Sequence, residues 1–438
     1  MDASVETWSQ KPAEPVKSQR LTFNPLFAKP SVIRYYLFFI AYIWLTRIRI
    51  PVTGGHEMKM KGAIVFLAAV VIVFGRYDAT AQAPPCTERN PKVAMPAAPH
   101  GMYAWAPGER MTNLLKKYVI GKDPALCGAS IVVKWADLER SKGKFDFSSA
   151  EDLAKPFTDA GLTVNFLFAE ATEAKDQVTP QWVLNEVPTS NCGTEGKLPV
   201  YWNPKFEAFW SDLIRHAMDY FSNTSPIRHR IGYMRFALGG GAEAVPLPGG
   251  HGGKCADVVA KLGFSYDVWE RHVFKILDVI GSVPTKHQII CALPEQAGGK
   301  TKYELTNEFA AEAAKYHVGF SFESLGGNGE AGPGTKPGRC DPNGKLHWCG
   351  AYTKYAGVVP LAMQPMTATR NTNVSKIDID NLLQYAIDNK IQIFELYTDE
   401  FLEADGAKEW QNFEPAKQAK YKAALQSASR ILGQAPIR

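Results

Sequence analysis

The chain has 438 residues, with 49 Lys and Arg against 44 Asp and Glu, seven cysteines and 45% apolar residues. Ten basic and five acidic residues fall within the first 83 positions, so the excess of +5 lies there and the remaining 355 residues hold 39 of each sign. A balanced domain without runs of like charge excludes the basic stripe that a nucleic-acid backbone requires and points to an uncharged or small partner.

The first 83 residues read as a leader. Two apolar runs lie there, YYLFFIAYIWL (35–45) and GAIVFLAAVVIVFG (62–75). Both are shorter than the roughly 20 residues of a spanning helix, so no stable membrane span is expected. The second run follows the basic start Met58-Lys59-Met60-Lys61 and leads to Ala81-Gln82-Ala83 before a proline pair. That is the three-part layout of a secretory signal with an A-x-A cleavage site. The expectation is therefore a signal peptide over 58–83 and a secreted or periplasmic domain over 84–438. A signal normally opens a chain, so residues 1–57 read as an over-extended start, the alternative being a short cytoplasmic segment with a membrane hairpin.

All seven cysteines follow the cleavage point, as an oxidising compartment predicts. Cys340 and Cys349 bracket RCDPNGKLHWC, a short loop that a bridge would close, and Cys192 and Cys255 sit in Gly-rich loops. Cys291, inside the apolar HQIICALP, reads as a buried free thiol. There is neither a C-x-x-C nor a paired histidine spacing, so no metal and no cofactor are expected.

Beyond the leader, apolar β-rich runs recur in chain order: GMYAWAP (101–107), ASIVVKW (129–135), LTVNFLFAE (162–170), IGYMRFAL (231–238), QIICALP (288–294), VGFSFESL (318–325), GVVPLAMQP (357–365) and IQIFELY (391–397). Between them lie AEDLAKPFTDA, NPKFEAFWSDLIRHAMDYF, SYDVWERHVFKILDVI, TNEFAAEAAKYH and DIDNLLQYAIDN, with apolar residues at the three- and four-residue spacing of helices covering a sheet. Eight strands alternating with helices in one domain predict an α/β fold, a (β/α)8 TIM barrel. A doubly wound open sheet would need a Gly-rich phosphate turn after its first strand, and GMYAWAPGER has none.

Working residues of such a barrel sit where the strands end. The predicted ends carry Trp105, Trp135 with Asp137 and Glu139, Glu170 with Glu173, Glu243, Glu295, Glu323, Gln364, and Glu395 with Tyr397. Carboxylates and aromatics dominate, and no G-x-S-x-G nucleophile setting occurs. Lys254 after Gly253 would need a glycine at 248 for a phosphate loop, and Pro248 stands there.

The stretch WADLERSKGKFDFSSAEDLAKPFTDAGLTVNFLF resembles the second and third β/α units of the TIM-barrel retaining β-glycoside hydrolases, the cellulase and β-galactosidase superfamily, and TPQWVLNE and LPVYWNPKFEAFWSDLI continue the likeness. The resemblance covers residues 100–245 and thereafter only the order of strands. It implies a general acid/base glutamate ending strand four, usually after asparagine, and a nucleophile glutamate ending strand seven. Glu243 matches the first position with Ala242 before it and is expected as the general acid/base, and strand seven offers Gln364 instead of a glutamate.

Glycoside cleavage needs a proton for the leaving oxygen and a second carboxylate for the oxocarbenium-like centre. Glu323 is the first candidate to face Glu243, because Gly319, Ser321 and Glu323 alternate on one side of their strand. Glu395 is the second, sharing a face with Ile391 and Ile393. Three glycines before Glu243 let the backbone turn tightly, and Phe236, Leu238 and Val245 are expected as its apolar surroundings. The flat rings of Trp105, Trp182 and Trp202 suit sugar stacking, Trp135 suits either stacking or the core, and Glu170, Gln364 and Tyr397 complete the candidate substrate-binding set. Trp348 falls on the same presumed face, whereas Trp210 and Trp269 read as helix core. Two functions remain open: a secreted glycoside hydrolase acting on a neutral, β-linked oligo- or polysaccharide, and a carbohydrate-binding barrel without catalysis, which the missing strand-seven glutamate supports.

Overall fold

The computed structural model describes residues 99–432 except 107, 172–176, 191–196, 241–242, 245–259, 295–301, 326–339, 342–346, 370–377 and 411–412. The leader and signal expected over 1–83 lie outside the described residues, as do Glu173, Cys192, Val245, Cys255 and Glu295.

Eight parallel strands form a closed barrel: β1 (Gly101–Ala106), β2 (Leu126–Lys134), β3 (Thr163–Ala169), β4 (Ile231–Phe236), β5 (Gln288–Ala292), β6 (Gly319–Leu325), β7 (Leu361–Pro365) and β8 (Ile393–Tyr397). Each pairs with its neighbours in chain order, and β8 closes on β1 with Tyr103 opposite Glu395 and Trp105 opposite Tyr397. After each strand comes a helix: α1 (Glu109–Tyr118), α2 (Ser148–Asp159), α3 (Pro204–Asp219), α4 (Tyr266–Ser282), α5 (Lys302–Lys315), α6 (His347–Tyr355), α7 (Ile379–Asp388) and α8 (Pro415–Leu432). This is the (β/α)8 TIM barrel that the alternation of periods predicts. The helices α1, α6 and α8 were not among the five predicted segments; α6 follows a glycine-rich stretch and carries only weak amphipathic spacing.

Local signals start the helices. Asn203 accepts a hydrogen bond from the Lys205 N–H with Pro204 in the first turn of α3, Ser265 accepts from Val268 N–H at α4, and Asp378 accepts from Asp380 N–H at α7. Each satisfies an amide that the first helical turn leaves without a partner. Strand residues of one parity face the helices in a continuous apolar layer, and those of the other parity fill the barrel. The lower interior is apolar, with Tyr103, Leu167, Tyr233, Ile290, Ala362 and Ile393 in contact. On β6 the strands approach closely: a Cβ at Gly319 would lie 2.4 Å from the Pro360 carbonyl oxygen, so only glycine fits.

Cys340 and Cys349 form a disulfide with Cα atoms 5.9 Å apart, and Cys127 is also disulfide-bonded. Cys291 is a buried free thiol, and burial pushes it up to about 12. Among the described residues no helix is long and apolar enough to cross a membrane, and no cluster of His, Cys, Asp or Glu is arranged to hold a metal ion.

Candidate functional site

The alternation of strand side chains builds an ionic layer above the apolar plug. Tyr233 and Arg235 point inward from β4, Ser321 and Glu323 from β6, and Glu395 from β8. Arg235, only 1% exposed, donates from Nη1 to Glu323 Oε1 at 2.7 Å, to Glu395 Oε2 at 3.1 Å and to Ser321 Oγ at 3.2 Å. Tyr233 donates its hydroxyl to Glu395 Oε1, and Ser321 donates to Glu323 Oε1. Below, Asn165 donates to Ser130 Oγ at 3.1 Å and accepts from the Tyr233 N–H at 3.3 Å, which ties β2, β3 and β4 to the same network. A buried charge must be paired or neutralised, and one guanidinium here serves two carboxyl groups.

The two inner glutamates differ. Glu395 is fully buried with one oxygen held by Tyr233 and the other by Arg235. Glu323 has both of its bonds on Oε1, and its Oε2 carries no hydrogen bond among the described residues. Burial, with repulsion from Glu243 and Glu395, pushes the Glu323 carboxyl up to about 8 against the pull of Arg235 and Ser321. The net effect favours its protonated form.

Glu243 stands outside this layer, beyond the end of β4, and is exposed. The Leu238 N–H donates to the Glu243 carbonyl at 3.0 Å, closing the turn, and Gly240 pairs with Ala171 beyond the end of β3. Phe236 and Leu238 are fully buried and do not enclose the carboxylate. The charge of Glu243 acts on Arg235, Glu323 and Tyr397, so it shares one electrostatic field with the inner layer. Tyr397 and Trp105 meet edge to face at 5.0 Å on neighbouring strands, both partly exposed, and Tyr397 donates to the Met366 carbonyl at 3.1 Å. Gln364, 5% exposed at the end of β7, acts on Tyr397 as a hydrogen-bond partner. Glu243, Glu323, Glu395, Trp105, Gln364 and Tyr397 are thus linked through neighbouring strand ends and one electrostatic field.

Four other candidates lie elsewhere. Trp135 is fully buried among Trp182, Phe206 and Trp210, and its indole N–H donates to Glu139 Oε2 at 2.9 Å. Glu139 also accepts from the Gly143 N–H at 2.7 Å, so this strand-end acid pins its own loop. Trp182 packs on Phe209 with its N–H on the Glu139 carbonyl. Trp202 is 8% exposed, packs on Phe264 and donates to the Leu262 carbonyl. Glu170 is fully buried at the end of β3, where burial, reinforced by the charge of Glu207, holds its carboxyl well above the usual range. Trp348, on α6, stacks on Phe322 in the helix–sheet core. The faces of these rings are largely covered by protein.

Arg235 and Tyr233 were not anticipated as site residues. The signal was a charged residue inside the apolar run IGYMRFAL, two positions from a tyrosine of the same parity, since such a charge in a strand demands an internal partner.

No protein-family model matches the chain, and no curated relative matches it. Solved structures similar in fold include the catalytic domain of a β-amylase from Paenibacillus polymyxa, 11% identical with a TM-score of 0.47, covering 68% of this chain and 92% of that one. A GH10 xylanase from Bispora sp. MEY-1 with xylobiose is 11% identical with a TM-score of 0.42, covering 76% and 96%. Xylanase 10B from Thermotoga petrophila with xylobiose is 11% identical with a TM-score of 0.40, covering 75% and 94%. At these values the likeness is to the barrel alone.

Proposed function

We propose that the protein is a secreted or periplasmic glycoside hydrolase acting on a neutral, β-linked oligo- or polysaccharide, with the roles expected from the sequence exchanged: Glu323 as the proton donor and the exposed Glu243 as its carboxylate partner. The observation that carries this reading is the contrast between the two acids: a buried Glu323 whose carboxyl is pushed up by burial and whose Oε2 carries no hydrogen bond among the described residues, and an exposed Glu243 whose charge acts on it. Acid and base roles need two carboxyl groups in different environments, one buried and one open to solvent.

In this mechanism Glu323 Oε2 gives its proton to the glycosidic oxygen as the bond from that oxygen to the anomeric carbon breaks. The resulting Glu323 carboxylate is stabilised by Arg235, already 2.7 Å from Oε1. Glu243 either takes a proton from the water that adds to the anomeric carbon or bonds to that carbon first, and the separation of the two carboxyl groups in the sugar complex decides which. Glu395 holds Arg235 and does not itself react. Trp105 and Tyr397 offer ring surface to a pyranose beside them. The balanced charge of residues 84–438 fits a neutral substrate.

The Gln364 side chain at the end of β7, where the resembled family carries its nucleophile, favours a second reading as a carbohydrate-binding barrel without catalysis. A screen of chromogenic glycosides against the chain separates the two. Turnover that is lost in Glu323→Gln supports the enzyme, and sugar binding without turnover of any glycoside supports the binder. N-terminal sequencing of the exported protein tests the leader; a start near Pro84 is expected, and residues 1–57 in the exported form would overturn it.

A further inference from the structure

A second polar cluster lies outside the barrel, behind the turn that carries Glu243. Glu170 ends β3, Tyr201 precedes α3, and Trp269 and His272 face inward from α4. Tyr201 lies 5.4 Å from His272 and 5.9 Å from Trp269 between ring centroids, and Glu170 acts electrostatically on Tyr201. All four side chains are buried to 99% or more. Five of their polar atoms, both carboxyl oxygens of Glu170, Tyr201 Oη, Trp269 Nε1 and His272 Nε2, have no hydrogen-bond partner among the described residues. Native interiors rarely leave one such atom unpaired, and five in one neighbourhood call for a shared partner.

The chemistry of the cluster identifies that partner. The surrounding charges are Glu207, which accepts from His272 Nδ1 at 3.0 Å, and Lys275, 2.5 Å from Glu207 on the solvent side. Burial keeps His272 neutral, so Nδ1 carries the proton toward Glu207 and Nε2 is an acceptor. Trp269 Nε1–H is a donor, Tyr201 is donor and acceptor, and so is Glu170 in the protonated form that burial favours. A set of neutral groups with donors and acceptors mixed suits neither a metal ion nor an anion. It suits small neutral molecules that donate and accept equally, and water needs only two to four such partners.

We propose that Glu170, Tyr201, Trp269 and His272 enclose a buried hydration site whose ordered water molecules couple the end of β3 to α4 and brace the Glu243 turn. The brace is direct in the backbone. The Glu170 carbonyl accepts from Thr179 Oγ1 at 2.7 Å, and the next residue, Ala171, pairs with Gly240 of the turn. This inference is independent of the reaction proposed above.

The test is a high-resolution crystal structure of the wild-type protein and of Tyr201→Phe, which removes one hydroxyl and leaves the ring packing intact. Wild type is expected to hold ordered waters, each within hydrogen-bond reach of at least two of the four side chains, and Tyr201→Phe to lose the water bound at the hydroxyl. Water-proton relaxation dispersion in solution should show fewer long-lived internal waters in Tyr201→Phe than in wild type. Direct bonds among the four side chains with no water beside Glu170, an ion or organic molecule in that place, or an unchanged set of waters in Tyr201→Phe would each overturn the proposal.

Discussion

Glu323 and Glu395 share a single cation: Nη1 of Arg235 lies 2.7 Å from one and 3.1 Å from the other, deep in the barrel. One positive charge between two carboxyl groups leaves a surplus of one ionisable acid. Burial, with repulsion from Glu243 and Glu395, raises the Glu323 carboxyl and favours its protonated form, while Glu395 accepts from the Tyr233 hydroxyl.

The first prediction concerns the two roles. Glu323→Gln is expected to lower turnover of glycosides with poor leaving groups about 10²-fold or more and to lower it far less for activated leaving groups, which depart without a proton. Glu243→Gln is expected to lower turnover of both. A donor works only while protonated, so wild-type activity should fall as pH rises through about 8, and that limb should vanish in Glu323→Gln. Full activity of Glu323→Gln on both substrate types would refute the assignment.

Removing the shared cation should be severe. Arg235→Met leaves two buried acids facing each other and is expected to lower stability by roughly 3 to 5 kcal/mol at neutral pH, measured by denaturant unfolding. Without the guanidinium, which lowers the Glu323 carboxyl, Glu323 favours the protonated form still more in the fold, so the deficit should shrink as pH falls and the unfolded chain takes up the same proton. A deficit independent of pH would mean that packing, not charge, is what Arg235 contributes.

The tryptophans separate by burial. Trp105→Ala is expected to weaken oligosaccharide binding by about 1 to 3 kcal/mol with Tm nearly unchanged, since its ring is partly exposed beside Tyr397. Trp135→Ala should instead lower stability by about 3 to 5 kcal/mol, the range for emptying a large buried side chain. Calorimetric titration with oligosaccharides beside thermal melts of both variants distinguishes the two effects; equal losses of Tm would place Trp105 in the core.

Glu170 supplies a pH test of stability. Its folded carboxyl sits well above the usual range, so above the ordinary glutamate value of about 4.3 the unfolded chain releases a proton that the fold retains. The favourable contribution present at low pH is thus lost progressively as pH rises toward the folded value. Glu170→Gln keeps the shape without this titration, so its stability relative to wild type should improve from pH 4 upward. A difference that does not change with pH would mean that Glu170 ionises in the fold as it does unfolded.

The eight strands and the five predicted helices were legible because each is set by a local period: alternation or continuous apolarity for barrel strands, three- and four-residue spacing for covering helices. Glu243 was legible as a turn residue for the same reason, since three glycines after an apolar strand are a local signal. The disulfide between Cys340 and Cys349 followed from their short separation. The helix α8, by contrast, carries a sequence rich in Lys, Ala and Gln whose buried residues Tyr421, Leu425 and Leu432 stand out only once the barrel wall is known.

What the sequence alone determined is the barrel, because covering helices and buried parallel strands impose periods that no other part of the chain needs to supply. Which strand-end residues meet is a different matter. Trp135, Trp182 and Trp202 sit at suitable positions along the chain, yet their rings turn into the helix layer, a choice made by space between packed elements. Glu323, Glu395 and Arg235 come from β6, β8 and β4, separated by 72 to 160 residues in the chain. Their pairing, and the upward shift that burial gives the Glu323 carboxyl, exist only when the closed barrel brings three distant strands around one interior from which water is excluded, and there a lone charge cannot stand.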